Sequence, residues 1–282
     1  WYKYPTRKDT IGDRQTIENA TVAQMTTVKN KFYHPNNSLL ILAGDITPEE
    51  GFAMAQKHFA DWERGPDPFK ADPIPAHPPL KKSEAIIVNQ PIKTVAVNLS
   101  FHGPSVGKDP GATYAADVFS FILAQNNSRF HKALVDSGVT LGAGVSYYTL
   151  NHTGPISISF ACTPDKVEAA VKAIQDEVRK FTQDDYFTDE QIETAKTLLA
   201  IDHIYGREKT SSYAHTVSFW WAVAGLDYYT GYIENLKKVS RADMKKYVST
   251  YIHKKPYIMG ILISEENQKA TDLTEKKAAS WA

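Results

Sequence analysis

Imidazole is the commonest metal ligand and the side chain that titrates near neutrality, so the histidines are the first residues to question. They are His34, His58, His77, His102, His131, His152, His203, His215 and His253. A zinc hydrolase needs two or three protein ligands held tetrahedrally, an open position for water, and a carboxylate that takes the water's proton. Two His four residues apart on a helix with a neighbouring Glu supply most of this at once, as in HExxH or its inverse HxxEH. Neither pattern occurs, and no histidine has a second one three to five residues away. Each reads as a surface or partly buried hydrogen-bonding residue, and no catalytic or metal position can be named in this chain. The only thiol, Cys162, excludes an intramolecular disulfide and a thiolate cluster. It ends the alternating, strand-like run that starts at Ser157, where a free Cys behaves as a small hydrophobe.

Other chemistries are excluded on composition and pattern. The chain carries 32 Lys and Arg against 32 Asp and Glu, so it has no electrostatic footprint for nucleic acid and no polybasic membrane patch. Lys245, Lys246, Lys254 and Lys255 form a modest basic run that reads as a solvated face. There is no P-loop and no GxGxxG. The longest apolar stretch, Val217 to Gly225, is well short of the roughly 20 residues of a membrane span. The sequence starts at Trp1 rather than Met, so an export signal would lie outside it.

The elements that would position any site follow from periodicity. Residues 1–16 are polar and turn-like. Thr16 to Tyr33 reads as one helix from Ile17, Ala20, Val22, Met25, Val28 and Phe32, stopped at Pro35-Asn-Asn37. Ser38 to Ala43 is a continuous apolar run, as expected of a strand covered on both faces. Thr47, Pro48 and Glu50 form a capping box for a helix to about Trp62. Six prolines between Pro66 and Pro79 mark a stiff connector. Beyond it, strands are expected at 84–89, 94–101, 139–150, 155–162 and 256–263. Helices are expected at 110–125, on to Val135, at 164–181, from Thr188 toward Ala224, and at 226–237 and 240–252. This mixed order predicts an α+β fold, an antiparallel or mixed sheet with helices packed on one side. The segment before the connector is only helix, strand and helix, and one strand cannot make a stable sheet.

Several of these residues carry a resemblance. Tyr33-His-Pro-Asn-Asn-Ser-Leu-Leu-Ile-Leu-Ala-Gly-Asp45 closely resembles the Tyr-x-Pro-Asn-Asn, apolar run, Gly-Asp signature of the M16 (pitrilysin, or inverzincin) peptidases. Ile11-Gly-Asp13, Ala20-Thr21 and Lys57-His-Phe59 fit the same pattern, and Ser128-Arg-Phe-His-Lys-Ala-Leu134 is similar to the family's Ser-Arg-Leu…Leu stretch. Tyr186-Phe-Thr-Asp-Glu-Gln-Ile192, with Ala195 and Lys196, looks like its entry into a long helix. The match is collinear from about Tyr4 to Ile263.

The resemblance implies an M16 peptidase-like (LuxS/MPP-like) domain. In that family two homologous domains face each other around a chamber; the first carries HxxEH and a downstream Glu ligand, and the second is non-catalytic and helps bind the peptide. Residues 1–62 would then be the end of a first, catalytic-type domain, 63–83 a Pro-rich linker, 84–264 the second, non-catalytic domain, and 265–282 a frayed helix or tail. Zinc would be bound in the complete peptidase by residues before Trp1, with no cofactor in this chain. Partners would be a peptide or unfolded-protein substrate and the catalytic half. Alternatively the chain is a binding or scaffolding subunit paired with an active homologue. An exported, bacterial setting is implied by the family alone.

Many members place an Arg and a Tyr in the second domain near the substrate; Val135 and Leu141 stand at the matching positions. The remaining chamber candidates are Tyr147, Tyr148 and His152 on a hairpin, and Arg129. Simple alternation would instead put one tyrosine ring in the core and the other in solvent, and Arg129 could equally be a surface ion pair.

Overall fold

The computed structural model describes residues 11–281; of the polar, turn-like start, residues 1–10 lie outside them. The described residues fall into two compact units, one reaching to Pro78 and including Arg207–Phe219, the other comprising Pro79–Gly206 and the chain from Trp220 onward.

In the first unit, α1 (Arg14–Glu18) and α2 (Val22–Phe32) replace the single expected helix. Thr21 divides them: its backbone is extended, and with Gln24 it forms a capping box that restarts the helix. A 3-10 turn at Pro35–Asn37 ends the pair, and the Asn36 side chain donates to and accepts from the backbone of Gly65. The apolar run Ser38–Ala43 is not a strand. Among the described residues all five strands lie in the second unit and none pairs with this run, and Leu39, Leu40 and Leu42 are exposed. The helix α3 (Pro48–Phe59) starts at the expected capping box of Thr47 and Glu50. A single turn, α4 (Pro68–Ala71), lies within the Pro-rich stretch, capped by Asp67.

The second unit is built on β1 (Glu84–Asn89), β2 (Val95–His102), β3 (Gly142–Tyr147), β4 (Pro155–Cys162) and β5 (Ile258–Ile263), in the order β1-β5-β2-β4-β3. β1 and β5 are parallel and every other pairing is antiparallel. Strict alternation along β2 sends Val95, Val97, Leu99 and Phe101 to one face. The register sets them against Cys162, Phe160, Ile158 and Ile156 of β4, and Leu99 and Val97 against Met259 and Ile261 of β5. That face is the core. Helices α5 (Pro110–Ala124), α7 (Val167–Lys180), α8 (Asp189–Tyr205) and α12 (Arg241–Tyr251) pack on it, with the short α6 (Arg129–His131) running into a π-helical turn at 132–136. The burial of Val167, Ala170, Val171 and Ile174 on α7 follows the i, i+3, i+4, i+7 stripe.

The long helix expected from Thr188 toward Ala224 is interrupted. α8 ends at Tyr205, and α9 (Thr210–Val223) begins after Gly206, a residue whose backbone entropy disfavours a helix interior. Gly231 likewise splits α10 (Leu226–Thr230) from α11 (Tyr232–Lys237). The final stretch holds α13 (Glu265–Ala270) and α14 (Glu275–Ala279). Leu273 and Ala278 there are buried, and Glu275 accepts from the backbone N–H of Ile87 on β1.

The two units differ in how their aromatic residues are used. Phe119 is fully buried and meets the rings of Phe181, Phe187 and Tyr247 at 5.2, 5.6 and 5.4 Å, whereas Phe52 is 76% exposed. Phe119→Ala is expected to destabilise the second unit by about 3–5 kcal/mol, and Phe52→Ala to change stability by less than about 0.5 kcal/mol. Urea unfolding of this chain followed by circular dichroism measures both.

Candidate functional site

The core helices pack on one face of the sheet; on the other face the residues toward β3 are small, while Ile86, Val88 and Leu262 stand on it at β1 and β5. Gly144, Ser159, Asn98 and Gly260 stand side by side across four strands, with Gly142 and Ala161 in the next row. With their neighbours they line a shallow depression of about 620 Å³. The side-chain oxygen of Asn98 is buried without a hydrogen-bond partner. β3 is the end strand, paired with β4 alone, so its other side is a sheet edge of the kind that accepts an added strand.

The β3–β4 hairpin carries three of the candidates. Tyr147 points to the core side, and its hydroxyl donates to the carbonyl of Pro104 at 3.0 Å. Tyr148, on the opposite face, is 54% exposed. His152 lies exposed in the connecting loop. The loop is closed by tight backbone approach. Gly103 donates to Gly154 at 2.8 Å, and Gly154 donates to Pro104 at 3.0 Å. A Cβ on Gly154 would fall 2.4 Å from the carbonyl oxygen of Tyr148.

The other candidates are elsewhere. Arg129 pairs with Asp185 at 3.3 Å and lies over the Tyr186 ring. Val135 is half-buried in the π-helical turn, packed against the core. Leu141 is exposed just before β3, roughly 20 Å along the strand from Tyr147. The hairpin thus gathers Tyr147, Tyr148 and His152 at one end of the sheet and does not bring Leu141 to them.

The histidines do not make a zinc site. His34 meets the carbonyl of Asn30 at 2.8 Å, His131 lies 3.4 Å from Asp136, and His203 stacks on Tyr232. Among the described residues no group of three or more His, Cys, Asp or Glu side chains is placed to hold a metal ion. Cys162 is fully buried, and burial pushes its thiol up to about 11.

One chemically unusual group was not among the candidates. Asp117 is the sole charged residue of α5. It keeps some accessible surface, yet its carboxylate is closely packed by protein, and burial pushes it up to about 7, opposed by the hydrogen bond from Tyr232. The signal was a single Asp inside the apolar run Ala115-Ala-Asp-Val-Phe119, which periodicity averages away.

The comparisons agree with this architecture. The family model described as the peptidase M16 inactive domain matches residues 19–199. The chain belongs to that family. Several solved structures share the fold. A protease from Helicobacter pylori has 20% identity and a TM-score of 0.76, the match covering 89% of this chain and 61% of that one. A peptidase M16 inactive domain from Pseudomonas fluorescens has 17% identity and a TM-score of 0.77, with 93% and 63% covered. A chain of Complex III2 from Candida albicans has 12% identity and a TM-score of 0.76, with 99% and 67% covered. The chain therefore spans less than two thirds of the length of the first two. No curated protein matches the sequence.

Gly154 offers a check on the hairpin. Gly154→Ala forces a methyl onto the Tyr148 carbonyl and is expected to lower stability by about 1–3 kcal/mol. Gly144→Ala, whose Cβ would meet nothing within 4 Å, is expected to be neutral or slightly stabilising; thermal melts of the two variants make the comparison.

Proposed function

We propose that this chain is the non-catalytic C-terminal part of an M16-type zinc metallopeptidase. It helps enclose and bind extended peptide substrates, whose hydrolysis is carried out by an HxxEH half outside these residues. Membership of the inactive-domain family gives the class. The observation that carries the reading is the helix-free sheet face of Gly142, Gly144, Ser159 and Gly260 beside the end strand β3. An extended peptide can lie close to backbone only where side chains are small, and an end strand offers it main-chain hydrogen bonds. Tyr148 and His152, exposed at the hairpin end, supply an aromatic face and an adaptable polar group.

In this reading residues 1–62 belong to the catalytic-type domain, 63–83 link the two halves, and 84–264 form the non-catalytic domain. Zinc belongs to the other half, and no residue of this chain has a part in activating water. A second reading, a binding or scaffold subunit paired with an active homologue, is favoured by Val135 and Leu141, neither of which has a side-chain donor for a peptide carbonyl. The occurrence of the fold in a chain of Complex III2 is consistent with such an assembly.

The test is peptidase activity on mixed unstructured peptides with added zinc, for the chain alone and for the longer natural polypeptide. The expected result is an inert chain and a longer protein that cuts until a chelator is added. Cleavage by the chain alone overturns the reading, and inertness of both moves the subunit reading ahead. Replacing Tyr148 and His152 together by Ala is expected to weaken binding of an extended peptide about 5–30-fold, the range for losing a good interface anchor, as measured by fluorescence anisotropy.

A further inference from the structure

The Asp117 carboxylate is held by one donor. Its Oδ2 accepts the Tyr232 hydroxyl at 2.9 Å, and no cation figures among the influences on it. The groups that face it are phenols: Tyr114 of its own helix, Tyr228 of α10, Tyr232 of α11, Tyr147 of β3 and Tyr247 of α12. His203 of α8 stacks behind Tyr232 at 5.1 Å. Asp109 and Tyr251 pair with each other at 2.7 Å and extend the polar cluster towards α12.

The segment fastened by this contact consists of two short helices, with Tyr228 and Tyr229 buried. It enters through Gly225, whose φ of +84° suits glycine, and neither α10 nor α11 has a side-chain cap. Helices of five and six residues have little stability of their own. Besides the Tyr232 bond, the hydroxyls of Tyr228 and Thr113 meet at 2.7 Å, and Tyr228 stacks between Tyr114 and Trp220. The far end is firmly anchored: Leu236 is fully buried, and Lys196 donates to the carbonyls of Lys237 and Val239.

We propose that Asp117 is a proton-dependent latch that holds the segment Leu226–Tyr232 against α5 when protonated and releases it when ionised. The sign follows from linkage. In the closed state the carboxyl titrates at about 7; exposed by opening, it returns to the ordinary 3.8. Below the lower value both states are protonated and opening is insensitive to pH. Between the two, opening releases a proton, so each pH unit favours it about tenfold. Above the upper value both states are ionised and the effect levels off. Closure is therefore tightest in acid and weakest above neutrality.

Hydrogen exchange of the whole chain, corrected for the intrinsic pH dependence of amide exchange, tests this. Protection in 226–232 is expected to fall about tenfold per unit from pH 5 to 6.5 and to level off near 7.5, while remaining below that of the β2 and β4 amides. In Asp117→Asn the profile is expected to be flat. A flat profile in the parent protein, the same slope in Asp117→Asn, or exchange of 226–232 only as slow as the core strands overturns the latch. Should Asp117→Asn fail to fold, Tyr232→Phe decides. Loss of the one donor to the carboxylate is expected to move the levelling-off to higher pH, and an unmoved profile overturns the proposal.

Discussion

The central position of β2 organises the second unit. Bonded to β4 on one side and β5 on the other, it has no free edge, so its register dictates which residues of three strands share a face. A slip of one residue would turn Val95, Val97, Leu99 and Phe101 outward. The helices then pack on that one face, and the part of the opposite face next to β3 is left to Gly, Ala, Ser and Asn. The division of the sheet into a covered side and a bare one follows from these two pairings of β2.

The same constraint explains the contrast with the first unit. Its helices are well capped, Thr21 with Gln24 and Thr47 with Glu50, so local sequence sets where they begin. Among the described residues no sheet lies within that unit, however, and Val22, Met25 and Phe52 remain in solvent. Capping fixes where a helix begins; burial of its stripe requires a surface from elsewhere.

Much of this was legible in the sequence where a local pattern coincided with a tertiary role. Alternation marked β2 and β4 because one face of each is buried, and the capping box placed α3 because capping is a three-residue interaction. The apolar run Ser38–Ala43 misled because hydrophobicity reports a wish to be covered and says nothing of whether a neighbouring strand exists. The break at Gly206 was passed over because a helical pattern continues on both sides of it. At the site, the hairpin residues could be placed together by chain proximity alone. The tyrosines around Asp117 come from α5, β3, α10, α11 and α12, and no linear spacing joins them. The Lys196 anchor was hidden for a similar reason, since its acceptors are backbone carbonyls more than forty positions away.

The strand pairing that seals Cys162 into the core also makes the protein chemically quiet. The sulfur is enclosed and the thiolate disfavoured, so in the folded state it should resist the alkylating and maleimide reagents that attack an exposed, ionised thiol. A cysteine introduced at the surface, at Tyr148 for example, would then be the accessible thiol among these residues. Site-specific dyes or spin labels can be attached to the hairpin without first deleting a native residue.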